Sequence, residues 1–194
     1  MTALPPLSPE SEPKGRGRIE TFWRAVHRLG QAEWFGSPFH LRGLAGPKPQ
    51  GAAAAPRDLR PINPGRGEQI VGGHFIFAGD SLNLGAGGDP WDRPNPSRVF
   101  AEELHRFDWL GDLLSLGERG EAAALRLALN WRHVFGRWNS FSWSDELLER
   151  RVFNLACGLR KISGRASDLE AAQLADSLAR QARQLLKINR SALA

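Results

Sequence analysis

The chain has 194 residues, 41% of them hydrophobic and 24% charged, with a net charge of +5 and a pI near 10.3. These are globular proportions in a length suited to one domain. No run of about 18 uninterrupted apolar residues occurs, which excludes a conventional membrane-spanning helix, and a single cysteine, Cys157, excludes an internal disulfide. The charge favours anionic partners, yet residues 1–100 carry 12 basic and 9 acidic side chains and residues 101–194 carry 14 and 12. With no basic tail and no recognition-helix pattern, nucleic-acid binding is the least supported class.

Residues 1–18 are rich in Pro, Ser and Glu and read as a disordered lead-in. They hold neither an early basic cluster nor an apolar core of the signal-peptide kind, so the chain as written is assigned to the cytoplasm, with periplasmic action open if the true start differs. A second region covers residues 19–96. It begins with a short helix on which Ile19, Phe22, Trp23, Val26 and Leu29 share one face, ended by Gly30. From Gly43 to Pro64, Gly, Ala and Pro dominate without periodicity, as in a linker or wrapped loop. Between Gln69 and Leu84, Ile70 and Val71, then Phe75 to Phe77, a turn at residues 78–80, and Leu82 alternating with Leu84 predict a small β-hairpin. Gly72 and Gly73 mark a bulge or a close backbone approach. The glycines at 85, 87 and 88 lack the spacing and the lysine of a phosphate-binding loop and read as a flexible connection.

The third region, residues 97–194, is predicted to be helical throughout. Ser97 caps a helix to about Leu116; a second runs from about Glu121 to Phe135, ended by Gly136; a third starts near Ser144 and extends to about Ile162. A fourth opens on the capping box Ser167-Asp168-Leu169-Glu170 and presents Leu174, Leu178, Leu185 and Ile188. The expected fold is mainly α, with antiparallel helical hairpins forming part of an incomplete α/α toroid and one β-hairpin near residues 69–84. The last helix carries no stop signal, so its apolar stripe is expected to lie partly exposed and to favour marginal stability or self-association.

The segments Gly73-His74-Phe75-Ile76-Phe77-Ala78-Gly79, Asp89-Pro90-Trp91-Asp92, His105 to Leu110, Asn130-Trp131 and Gly136 to Trp143, followed by Leu148 to Leu155, together resemble the N-terminal region of bacterial heparinase II/III-like proteins. That resemblance implies the front of a polysaccharide lyase acting by β-elimination on uronic-acid-containing glycans such as glycosaminoglycans. Its α/α toroid would precede a C-terminal β-sandwich domain that this chain does not contain. The chain has no tyrosine, and the family's catalytic residues lie beyond the matched region, so no catalytic residue is carried over and activity from this chain alone is not expected. The alternative is a non-catalytic helical module binding acidic glycan or protein.

Candidate contacts to an acidic polysaccharide are Arg137, Trp138, Asn139 and Trp143, in the loop between the second and third predicted helices, and His133 at a helix end. The tryptophans either stack on sugar rings or pack into the junction between hairpins; His133 serves as an acid or base, or simply complements the helix dipole. Of the adjacent Arg150 and Arg151, one is expected to form a structural salt bridge with Glu146 or Glu149. Cys157 reads as a buried structural thiol. The widely spaced histidines offer no metal site, and no cofactor is implied.

Overall fold

The computed structural model describes residues 42–47, 49 and 55–192. The predicted lead-in and the helix expected at residues 19–29 lie outside them. The described elements are α1 (Pro64–Val71), β1 (His74–Phe77), β2 (Asp80–Asn83), α2 (Arg98–Arg106), α3 (Leu110–Leu114), α4 (Glu118–Phe135), α5 (Asp145–Ser163) and α6 (Asp168–Ala192). The fold is mainly helical with one small antiparallel hairpin, and nothing in the helix packing establishes the partial toroid.

Ile70 and Val71 belong to a helix, not to the hairpin. Pro64 at the first helical position has its backbone preset, and Asn63 caps the end by accepting a bond from the Arg66 backbone N–H at 3.3 Å. The hairpin pairs Phe75 with Leu82 and Phe77 with Asp80. Its two-residue turn places Ala78 at φ 53° and Gly79 at φ 87°, the left-handed geometry whose twist matches the strands. Gly73, at φ 82°, makes the expected close approach: its carbonyl accepts from Leu84 N–H at 2.9 Å, and a Cβ there would overlap the Gly85 carbonyl.

Ser97 caps α2 by accepting from Phe100 N–H at 3.2 Å, but the helix ends at Arg106 rather than near Leu116. Phe107 adopts φ 61°, a conformation unfavourable for an L residue, and the chain resumes as α3. The interruption fills the core. Fully buried, the Phe107 ring stacks on Trp91 at 5.6 Å and on Trp109 at 4.9 Å. Burying an aromatic ring of this size stabilises the fold by about 2–3 kcal/mol, enough to outweigh the backbone cost.

The main core lies between the hairpin and α2 to α5, centred on Phe75, Trp91, Phe100, Phe107, Trp109 and Trp131. Trp91 reaches it from the proline-rich connector, donating its indole N–H to the Leu127 carbonyl at 2.8 Å. The capping box of α6 forms as expected, Ser167 N–H donating to Glu170 Oε2 at 2.8 Å and Glu170 N–H to Ser167 Oγ at 3.4 Å. The expected partial exposure of the last helix's stripe holds for Leu178, Leu185 and Ile188, which are half-buried, and is corrected at Leu174, which is buried. Helix α6 packs along α5 and reaches α4, so that Leu174 is buried in the main core and Leu178 packs against it. Leu185 and Ile188 pack on a second cluster formed by Leu44, Trp143 and Leu148. Residues 43–47 wrap that end of α6, their carbonyls accepting bonds from Arg183 and Lys187.

Candidate functional site

The segment from Arg57 to Asn63, within the stretch expected to be a linker or wrapped loop, is a fixed strap over α3 and α5. Asp58 folds back onto Arg60, accepting from its backbone N–H at 3.0 Å, from Nε at 2.9 Å and from Nη2 at 2.6 Å. The same guanidinium reaches Asp108 Oδ1 at 2.6 Å and the side-chain oxygen of Asn154. Asn154 in turn donates to the Arg106 carbonyl at 2.7 Å and to Asp108 at 2.9 Å. These bonds tie the strap, the α2–α3 corner and α5 to one another. Hydrogen bonding from Arg60 holds the Asp58 carboxyl below its ordinary range, and the bond from Asp58 raises the Arg60 guanidinium pKa further. Next along the chain, the buried Asp112 carboxylate accepts from Asn63 N–H at 2.7 Å and pairs with Arg66.

Two clefts flank Arg60. One, of about 430 Å³, has Leu110, Leu114 and Gly158 as its floor and Arg57, Cys157 and Lys161 on its walls. The other, of about 330 Å³, lies toward Arg66, Asp108 and Arg150. Gly158 permits the floor to lie low, since a Cβ there would come within 2.9 Å of both Leu110 Cδ2 and Leu114 Cδ1. Cys157 is half-buried, and desolvation raises its thiol pKa, so it is a poor nucleophile at neutral pH. The clefts thus set cationic and carboxylate side chains beside apolar surface.

A second polar cluster is sealed inside the protein. Arg151 is fully buried, donating to Gln181 Oε1 at 2.6 Å, Ser142 O at 2.7 Å and His105 O at 3.3 Å, with its guanidinium 4.2 Å above the Trp131 ring. All its acceptors are neutral, and desolvation lowers its pKa to about 9. The expected Arg150 or Arg151 salt bridge is therefore corrected; Glu146 pairs instead with Arg106, at 2.5 Å. His105 accepts from Trp131 Nε1 at 3.1 Å, so its Nδ1 is unprotonated, and burial, aided by the Arg151 charge, lowers its pKa to about 3.

Of the sequence-proposed contacts, Trp138 and Trp143 meet in one apolar cluster. Trp143 is only 4% exposed, donates to Phe135 O at 2.9 Å and offers no ring face to a sugar. Trp138 is half-buried against the same cluster. Asn139 is occupied locally, donating to Ser142 Oγ at 2.6 Å and accepting from Ser142 N–H at 2.7 Å. Arg137 and His133 are exposed. The strap residues Arg57, Asp58 and Arg60 were missed; the charge cluster just before Pro61 and the Asn63-Pro64 helix start were the available signals. Among the described residues no group of three His, Cys, Asp or Glu side chains could hold a metal ion, and no helix is long and apolar enough to cross a membrane.

Comparison with known proteins yields a curated relative, FtsZ-localized protein C of Caulobacter vibrioides, 46% identical over 195 residues, covering 98% of this chain and 34% of the relative. The chain thus spans about a third of the length of that protein. No family model matches, and no solved structure matches. These findings correct the heparinase II/III-like resemblance: near-complete alignment to a protein named for localization to FtsZ replaces the lyase identification. The acidic-glycan substrate and the glycosaminoglycan-binding alternative lose their basis with it.

Proposed function

We propose that this chain is an interaction domain that places the protein carrying it at FtsZ-containing structures. The observation that carries this reading is the 46% identity along nearly the whole chain to a protein named for that localization. At that identity the buried framework, including the strap and its Arg60 hub, is expected to be shared. The larger cleft beside the strap, with Arg57 and Lys161 exposed on it, supports a binding role. FtsZ, or a component held with it, is the partner, and the protein acts in the compartment where FtsZ is found.

The test is twofold. A fluorescent fusion of this chain expressed in Caulobacter vibrioides is expected to coincide with FtsZ and to disperse when FtsZ is depleted. Purified chain is expected to bind purified FtsZ directly, or to do so once a cell extract is added. A diffuse fusion in cells with normal FtsZ, together with no binding under either condition, overturns the proposal.

A further inference from the structure

The lining of the paired clefts has an imbalance that points to the chemistry of what they hold. Its carboxylates are already engaged: Asp58 and Asp108 with Arg60, Asp112 with Arg66, and Glu103 with Arg106. In the larger cleft the balance left over is positive, Arg57, Arg60 and Lys161 standing against Asp58 alone, whereas in the smaller one Asp58, Glu103, Asp108 and Asp112 outnumber Arg60, Arg66 and Arg150. Arg57 and Lys161 stand exposed on the wall of the larger cleft and Arg150 on that of the smaller, none in an ion pair with a described residue. An unpaired cation beside an apolar floor attracts an anion at long range and holds it at short range.

A second, independent feature lies at the same place. Ile62, in the strap, is 59% exposed, and Phe153 on α5, 41% exposed, has Arg60 lying 5.4 Å over its ring. Ile62 lines both clefts, and with Leu110 and Leu114 beneath it the larger one has affinity for hydrocarbon as well as for negative charge. An inorganic anion or a nucleic-acid backbone uses only the charge.

We propose that the larger cleft, between the 57–62 strap, α3 and α5, docks an acidic segment of a partner protein, with carboxylates facing Arg57 and Lys161 and an apolar side chain seated on Leu110 and Leu114. This does not rest on the FtsZ reading: the segment can belong to any protein, and the docking site fails or holds separately from localization.

The test is selection of phage-displayed random peptides of about a dozen residues against the immobilised full chain. Enriched peptides are expected to intersperse Asp or Glu with large apolar residues. A fluorescein-labelled peptide from the winning set is expected to lose about tenfold or more in affinity for the R57E/K161E double variant, to weaken with added salt, and to slow alkylation of Cys157 by N-ethylmaleimide. Arg57 and Lys161 are exposed and unpaired, so the far-UV circular dichroism and melting of that variant should match the parent; if they do not, R57Q/K161Q takes its place. The proposal is overturned by enrichment of neutral or basic peptides, by no enrichment over an uncoated surface, by affinity indifferent to the charge changes, or by unaltered Cys157 reactivity.

Discussion

Arg151 is fully charged at neutral pH, yet it is held by three neutral oxygens and an indole face in a site without water access. Its truncation removes every donor at once and leaves Gln181 and two carbonyls buried without them. Arg151→Ala is expected to cost about 3–5 kcal/mol, whereas Arg151→Met, which refills the volume, should cost less; urea midpoints measure both. His105 beside it makes acid stability a one-residue experiment. Its folded pKa of about 3 lies below its unfolded value near 6.5, so between those values the unfolded chain binds the additional proton. Stability from this group is therefore full above pH 6.5 and falls as pH drops toward 3, at about 1.4 kcal/mol per pH unit. His105→Asn, whose side-chain oxygen can still accept from Trp131, is expected to flatten that slope; equal slopes in the two proteins would contradict the linkage. Neither role was legible in sequence. Adjacent Arg150 and Arg151 look alike along the chain, and only the 100° step between helix neighbours sends one outward and the other into the core.

At the scale of elements, the sequence signals that survive are those whose cause is local. Ser97 and the Ser167–Glu170 box mark helix starts because side chains within one turn satisfy backbone groups there, and Gly136 marks an end through its own backbone N–H, bonded to the Arg132 carbonyl. The α2–α3 break escaped such reading because distant rings, Trp91 above all, hold Phe107 in its left-handed conformation. Helix α1 escaped for a different reason: its Pro and Gly content resembles a loop, and its stability comes from packing on α3 and from the Asp112 bonds to Asn63 and Arg66. Gly73 is the most demanding single position in the hairpin region. Gly73→Ala combines an unfavourable φ with overlap on the Gly85 backbone and is expected to destabilise by about 2 kcal/mol or more, read as a lowered urea midpoint. The candidate groove was invisible for a similar reason. Arg57 and Lys161 are over a hundred residues apart, and it is the strap's long-range bonds that bring their neighbourhoods together.

For the molecule as a whole, α6 decides whether the core is closed. It covers Leu155, Leu159 and Ile162, supplies Gln181 to Arg151 and anchors residues 43–47. A chain ended after Ser167 is therefore expected to lose cooperative melting and to aggregate, while the 194-residue chain melts in one transition; light scattering and calorimetry distinguish the two. The aromatic interior also has an optical consequence. The Phe107 ring lies 12° from the plane of Trp91 and 26° from that of Trp109, an asymmetric array of chromophores fixed by its surroundings. Such an array gives near-ultraviolet circular dichroism only while the rings keep those angles, whereas the far-ultraviolet bands depend on helices alone. The protein thus carries its own unlabelled gauge of side-chain order, and loosening of the centre can be followed spectroscopically while every helix remains in place.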